Sequence, residues 1–417
     1  MRIYYTTFML LLTCTNFVFS QWNVIYTPAT SQTVMAMKFW DANTGYHAGI
    51  LYSSSTNNIH KTTNGGTSYT LQSSGWTSQR FMAIWLLSPD TVMMAGNYGK
   101  IIKTVNGGIN WTTVYADTTL QFWGIWFTNP QTGYIAGSNG KIMKTTNRGD
   151  NWVNLTTPTS TLLDGIWFVN ENTGYVGGAN VFLKTTDAGA TWVNKVGLFI
   201  SAFETAQSVY FSDANTGYYC TNTTNCRIVK TTNGGDNWTL VNDLANIGAG
   251  WDMSFVNAST GYVCTSAGSV LKTTNAGLNW GVQNTPLTEN LYQIHFPNAN
   301  TGYIACWSGK ILKTTNGGLT FAGNEISEIP GNYSLKQNFP NPFNPNTTIK
   351  FSIPQKEYIS LKVFDIKGHE VKSLISSEYQ PGNYEVKFSG ENLSSGIYYY
   401  TLRSGSFSET RKMILLK

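Results

Sequence analysis

The chain has 417 residues, enough for one large repeat domain and a smaller second domain. Charged residues are only 12% and aromatics 14%, with 40 Gly, a mix that suits short strands and tight turns better than long helices. The net charge of +5 comes from the last 85 residues and Arg2. The neutral body lacks the basic clusters that nucleic-acid binding needs, and no apolar run after the first twenty residues could span a bilayer. We therefore expect no nucleic-acid partner and no transmembrane segment.

Residues 1–20 are typical of a signal peptide. A positive start at Arg2 precedes an apolar run over 3–19, and small residues occupy the cleavage-determining places near its end. Cleavage would leave Gln21 as the first residue, and the signal would direct the chain to the periplasm. The alternative is a lipoprotein signal, but the residues just before Cys14 are poorly suited to lipid attachment.

A six-residue phrase with the consensus Lys-Thr-Thr-Asn-Gly-Gly recurs seven times. Its copies are 61–66, 103–108, 144–149, 184–189, 230–235, 272–277 and 313–318. An aromatic residue follows each copy, and a Thr-Gly-Tyr phrase precedes every copy except the second, where Thr91-Val92-Met93 stands instead. Each period of about 40 residues divides into four short strands joined by Asn-, Gly- and Pro-rich turns. Seven such units predict a seven-bladed β-propeller over residues 21–325.

The phrase Thr-x-Asn-x-Gly-x-x-Trp resembles the Asp-box of sialidase-type propellers, although only the fourth copy keeps the aspartate, as Asp187. The whole repeat set is also similar to photosystem II assembly-factor and sortilin-type propellers. That resemblance implies the fold and leaves the function open. We interpret the boxes as turn-closing devices, because most of them lack the carboxylate that a calcium site would need.

The strand count also predicts how the ring closes. The seven repeats have eight candidates for an outer strand, because residues 21–26 resemble the segment that follows each box but have no box before them. A propeller must join its first and last blades or leave an open edge. We therefore expect residues 21–26 to pair beside 310–315 in the seventh blade.

One position at the start of each innermost strand differs from repeat to repeat, whereas core positions keep their residue type. Its seven occupants are Met35, Met82, Trp123, Asp164, Gln207, Trp251 and Tyr292. Side chains there should ring the funnel on one face of the propeller, and aromatic rings beside Asp and Gln suit a sugar or a peptide. We take these seven as candidate ligand-binding residues. The alternative is that these seven side chains only face solvent and bind no ligand.

Four cysteines follow the predicted signal peptide. Cys220 and Cys226 flank a turn, so the sequence predicts a disulfide across a hairpin mouth. Cys264 and Cys306 fit buried free thiols. Their spacing does not match a zinc site, and we expect no metal.

The composition changes at residues 326–332, which we take as a linker. The segment 333–417 contains several alternating strands and predicts a small Ig-like β-sandwich. Its 337–345 run, Gly382, the 393–398 stretch and the closing 412–413 pair are very similar to the type A C-terminal sorting domain of the type IX secretion system of Bacteroidetes. The resemblance implies recognition by the outer-membrane translocon and export to the cell surface or the medium. The predicted fold class is therefore all-β, a seven-bladed propeller followed by a sandwich.

The sequence contains no recognisable catalytic constellation and no cofactor motif. A sialidase gathers three arginines, but the propeller offers only Arg80, Arg148 and Arg227, and Arg148 lies in a box turn away from the funnel. The interpretation that follows is a non-enzymatic binding or scaffold protein. The alternative is a secreted glycan hydrolase using Asp164 and Asp252 as a carboxylate pair.

Overall fold

The computed structural model describes residues 22–29, 32–51, 56–77, 79–195, 197, 199, 204–318, 332–355, 357–379 and 382–416. The predicted signal peptide, most of the linker and the end of the seventh repeat lie outside these residues. The described part consists of β-strands, turns and loops, and it has no helix that could cross a bilayer.

Seven four-stranded antiparallel sheets form the blades of a propeller, as predicted. Blade 1 consists of β2 (Gln32–Phe39), β3 (Gly45–Leu51), β4 (Thr56–Thr62) and β5 (Thr70–Thr77). Blade 2 consists of β6 (Phe81–Leu86), β7 (Val92–Gly96), β8 (Ile101–Thr104) and β9 (Thr112–Tyr115). Blade 3 consists of β10 (Phe122–Phe127), β11 (Gly133–Gly137), β12 (Ile142–Thr145) and β13 (Val153–Leu155). Blades 4 and 5 consist of β14 (Leu163–Phe168), β15 (Gly174–Gly178), β16 (Val181–Thr185) and β17 (Val193–Lys195); and β18 (Ala206–Phe211), β19 (Gly217–Thr221), β20 (Ile228–Thr231) and β21 (Thr239–Asn242). Blade 6 consists of β22 (Gly250–Phe255), β23 (Gly261–Thr265), β24 (Ser269–Thr273) and β25 (Gly281–Asn284), and blade 7 has β26 (Leu291–His295), β27 (Gly302–Cys306), β28 (Ile311–Thr314) and the N-terminal β1 (Asn23–Tyr26).

The predicted ring closure is confirmed. Strand β1 pairs antiparallel with β28, with Asn23 opposite Lys313, so the outer strand of the last blade comes from the start of the chain. Trp22, just before this strand, is fully buried and its ring contacts Phe296 edge-on at 5.7 Å. The closure is therefore held by a packed indole as well as by the strand ladder.

Each box closes its turn by the same hydrogen bonds. In the first box the Thr62 hydroxyl accepts from the amide of Gly66 at 2.9 Å, and the Asn64 side-chain oxygen accepts from the amide of Ser68 at 2.9 Å. The second glycine has a positive φ, 85° at Gly66, which an L-residue with a side chain rarely adopts. The hydrogen bond from the amide of the second glycine to the threonine hydroxyl recurs in the other six boxes. The boxes thus close their turns, as predicted.

A lysine links each blade to the next, and in every blade except the second a tyrosine does so too. Lys144 lies over the ring of Tyr134 in blade 3, and both donate to the backbone carbonyl of Ala188 in the box of blade 4, each at 2.9 Å. In blade 2 methionine replaces the tyrosine, and Lys103 instead forms an ion pair with Asp150 of blade 3 at 2.6 Å. We call this inter-blade contact the clasp.

The clasp also joins the last blade to the first. Lys313 donates to the carbonyl of Gly65 at 2.8 Å, and the Tyr303 hydroxyl donates to that of Ala42 at 2.7 Å. The ring of Tyr303 stacks on Phe39 at 3.5 Å. The ring thus closes through the same contacts that join neighbouring blades.

Residues 332–416 form the predicted β-sandwich, with sheets of three and four strands. Its strands are β29 (Ser334–Leu335), β30 (Asn346–Ile353), β31 (Glu357–Phe364), β32 (Glu370–Tyr379), β33 (Gly382–Ser389), β34 (Gly396–Ser404) and β35 (Phe407–Leu415). The sequence analysis missed β32. This strand is an edge strand, where polar side chains are tolerated because one face and one side meet solvent.

The predicted disulfide between Cys220 and Cys226 is wrong, because all four described cysteines are free and buried. Cys220 lies opposite Ile228 in the ladder, while Cys226 sits in the turn before that strand with a φ of 47°. The two cysteines are therefore not direct cross-strand neighbours. Burial raises the pKa of the Cys226 thiol to about 12, which keeps it protonated. Cys264 and Cys306 are buried free thiols, as predicted.

Removing the closure should destabilise the whole propeller. We expect Trp22→Ala to lower the free energy of unfolding by about 3–5 kcal/mol, because it leaves a cavity between the last blades. Deletion of residues 21–26 should lower the melting temperature further. Val24→Ala is the matched control, since Val24 lies two residues further along, on β1, but is 39% exposed. Denaturant unfolding followed by circular dichroism tests this, and a Trp22→Ala variant as stable as the control would contradict it.

Candidate functional site

The seven variable residues owe their position to a β-bulge that every blade repeats. The pairing of each innermost strand with the next strand shifts register at the variable position, for instance between Phe81 and Ala83 around Met82, and between Gly250 and Asp252 around Trp251. In blade 4 the break spans Asp164 and Gly165. A bulge leaves its extra residue unpaired and re-aims the side chain. Here the bulges turn one side chain per blade towards the propeller axis.

All seven predicted ligand-binding residues line one central cavity of about 320 Å³. We call it the funnel. The order around its mouth follows the blades: Met35, Met82, Trp123, Asp164, Gln207, Trp251 and Tyr292. Both methionines are buried and the other five are half-buried. Trp251 and Tyr292 stack at 5.1 Å, and the indole N–H groups of Trp123 and Trp251 are buried without an acceptor.

A second ring lies further along the same strands, and the sequence analysis missed it. Its occupants lie three residues after the first ring in every blade and are Lys38, Trp85, Trp126, Trp167, Tyr210, Ser254 and His295. The aromatic members contact one another in sequence, with centroid distances of 4.8 Å, 4.0 Å and 4.8 Å. The Lys38 ammonium lies 4.5 Å from the centre of Trp85. This ring also varies between repeats, which was the available signal. Its members pack on one another as a belt.

Two carboxylates face the funnel in different surroundings. Asp252 accepts hydrogen bonds from the Ser208 hydroxyl at 2.9 Å, from the amide of the next residue, Met253, at 2.9 Å, and from the Ile294 amide at 3.1 Å. It therefore ties blades 5, 6 and 7 together. Asp164 accepts no hydrogen bond from the described residues, so its oxygens are left to the cavity.

The charges of the funnel are perturbed by burial. Burial, with a smaller contribution from the Asp252 charge, raises the pKa of Asp164 to about 8. Burial also raises the pKa of Asp252 to about 6, although its hydrogen bonds and Lys38 oppose the shift. Burial lowers the pKa of Lys38 to about 8 and that of His295 to about 3. Burial thus disfavours the charged form of each of these four side chains.

A side groove continues from the funnel across the first three blades. It shares Met35, Met82 and Trp123 with the funnel and adds Ile50, Arg80, Asn97, Tyr98 and Gln121. Arg80 and Tyr98 are exposed. The combined cleft is therefore elongated, with an acidic side chain in the funnel and a basic one in the groove.

Two histidines and two of the arginines of the propeller lie in the blades and turns, away from the funnel. His47 and His60 lie opposite each other in the first blade and stack at 4.7 Å. Arg227 forms a buried ion pair with Glu204 at 2.6 Å. Arg148 lies in a box turn with a φ of 61°. In the described residues these groups do not converge on the funnel.

Two families match parts of the chain. Residues 337–416 match the secretion system C-terminal sorting domain, and residues 113–243 and 149–286 match the photosynthesis system II assembly factor YCF48. No curated protein matches the chain significantly.

Solved structures show the same fold at low sequence identity. YCF48 bound to a D1 peptide has a TM-score of 0.57 and 18% identity over 72% of this chain and 98% of that one. YCF48 from Cyanidioschyzon merolae has a TM-score of 0.55 and 17% identity over 70% and 98%. PorZ, a surface component of the type IX secretion system of Porphyromonas gingivalis, has a TM-score of 0.50 and 14% identity, and the match covers 95% of this chain and 61% of PorZ.

Fold and site together define a seven-bladed β-propeller with a variable central funnel, and the residues similar to the photosynthesis system II assembly factor YCF48 lie within this propeller. The chain joins this propeller to a C-terminal sorting domain of the type IX secretion system. The sorting domain implies interaction with the type IX machinery and export to the cell surface or the medium.

The raised pKa of Asp164 has a consequence for stability. A carboxyl whose pKa is higher in the folded than in the unfolded chain binds more protons when folded, so it lowers stability as the pH rises from about 4 to about 8. We expect Asp164→Asn to be more stable than the native chain at pH 8 and equally stable at pH 4. The exposed Asp243→Asn is the control. Urea unfolding at the two pH values measures the effect, and an equal change at both would contradict it.

Proposed function

We propose that this protein is a non-enzymatic binding propeller, secreted or displayed on the outer surface of a Bacteroidetes cell, whose funnel holds an extracellular ligand. The signal peptide takes it to the periplasm and the sorting domain takes it across the outer membrane. One observation carries the proposal: the bulges direct seven side chains of five kinds into one cavity, while the surrounding structure repeats from blade to blade. A YCF48 propeller bound to a peptide supports it by analogy of fold.

The second candidate, a glycan hydrolase, is favoured by the two funnel carboxylates with raised pKa values. Paired carboxylates serve as acid and nucleophile or base in most glycosidases. Asp252, however, accepts three hydrogen bonds, two of them from the neighbouring blades, which suits a structural carboxylate better than a reacting one. Turnover of common glycosides by the native chain that disappears in Asp164→Ala would reverse our preference for a binding protein.

The export route can be tested by truncation. A chain ending at Ile329 lacks the sorting domain, so we expect it to accumulate in the periplasm while the full chain reaches the surface or the medium. Cell fractionation and protease treatment of intact cells give the readout. Equal surface display of the two forms would rule out the sorting role of residues 333–417.

Ligand binding can be tested on glycan and peptide arrays with the full chain and two tryptophan variants. Trp251→Ala removes an aromatic wall of the funnel, whereas Trp40→Ala removes an exposed tryptophan that follows the other end of an innermost strand. Loss of one buried aromatic contact should weaken binding about tenfold or more. We expect this loss only for Trp251→Ala. An array signal that both variants lose equally would place the ligand outside the funnel.

A further inference from the structure

The funnel mouth has one carboxylate and no basic side chain among its seven residues, and it has aromatic rings on both sides of that carboxylate. Asp164 is preceded by Trp123, and after Gln207 come the stacked Trp251 and Tyr292. We propose that the funnel selects a cation, the guanidinium or ammonium group of an Arg or Lys side chain in an extended peptide. This inference rests on the proposed binding role of the funnel and names its ligand class.

The surroundings of Asp164 explain why a cation suits this site. The carboxylate is half-buried, and nothing in the described part of the chain donates a hydrogen bond to it. A positive group beside it would replace the lost hydration and form a charge-assisted hydrogen bond. Trp123 of the adjacent blade lines the same cavity, and the face of a tryptophan ring attracts a cation. A neutral sugar would offer hydroxyl groups but would not stabilise the ionised form of Asp164 as a cation does.

The other charged groups of the cleft do not supply this cation. Asp252, in the next layer of the funnel, adds negative charge and is the charged neighbour that acts on the pKa of Asp164. Lys38 lies in the second ring, with its ammonium over Trp85. Arg80 lies outside the funnel in the side groove. Among the described residues Asp164 forms no ion pair.

The side groove adds a second requirement on the peptide. The chain that carries the basic side chain has room to leave the funnel past Met35 and Met82 towards Arg80. Arg80 is exposed and forms no ion pair with the described residues. An acidic residue next to the basic one would therefore place its carboxylate near the Arg80 guanidinium, which holds carboxylates in a bidentate fashion. The preferred sequence then has a basic residue beside an acidic one.

Three capped peptides separate these contributions. They are acetylated, amidated Gly-Arg-Asp-Gly, the same peptide with citrulline in place of Arg, and the same peptide with Asn in place of Asp. Citrulline keeps the shape of Arg without its charge. Calorimetric titration of the full chain should show binding of the Arg-Asp peptide, weakened about tenfold by either replacement. Asp164→Asn should abolish only the preference for Arg over citrulline, and Arg80→Gln should abolish only the preference for Asp over Asn.

Trp40→Ala serves as the control that should keep both preferences, and thermal unfolding verifies that every variant is folded. Equal binding of the Arg and citrulline peptides, or no binding of any peptide at millimolar concentration, would overturn the cation inference. Chitotriose is the neutral comparison. If chitotriose binds and Trp251→Ala abolishes its binding while Asp164→Asn leaves it intact, the funnel is a ligand site for glycans, so the binding role survives and the cation inference fails.

Discussion

The propeller depends on the clasp, in which the lysine and tyrosine of one blade bind backbone carbonyls near a turn of the next. A blade has two faces that it cannot bury alone, so neighbouring blades must be held at a fixed spacing. The box supplies the carbonyl by fixing its turn with Thr and Asn side chains. The clasp supplies the donor, and its lysine lies over a tyrosine ring 5.3 Å away in the joint between the last blade and the first. The contacts that join the blades therefore come from two short phrases, the box with its lysine and the Thr-Gly-Tyr phrase, which recur along the chain.

The same repetition allows the residues at the funnel mouth to differ between blades. The clasps and the phenylalanine-rich cores recur from blade to blade, whereas the bulge residue of each innermost strand changes from one blade to the next. The bulge holds it towards the axis whatever its side chain is. Seven independent positions can then differ, and in this chain they combine thioether, indole, amide, phenol and carboxylate groups around one cavity. A rigid repeated frame with a variable centre is well suited to recognition.

The sequence alone predicted the blades, the ring closure and the seven residues of the first ring. Each of these features shows in the sequence either as a periodic pattern or as a position where that pattern is interrupted. The sequence was not sufficient for the second ring, where Trp85, Trp126 and Trp167 look like ordinary core residues. Nor did it show that Asp252 is held by three hydrogen bonds while Asp164 has none, since partners from other blades cannot be read from spacing. The disulfide prediction failed because a turn that brings two cysteines near each other in sequence does not set their register. Strand β32 was missed because an edge strand needs no apolar alternation.

The pairing of Asn23 with Lys313 also fixes an order of events for a growing chain. The first strand of the propeller emerges before any blade exists, yet its partner is among the last residues of the repeat region to be made. Until then the outer side of the last blade stays unoccupied, and the molecule has two open ends that can pair with other chains. Completion of the ring is a late step, because it needs a contact between distant parts of the sequence. A translating ribosome or an export channel that holds back the final repeat thereby holds back the closure of the ring.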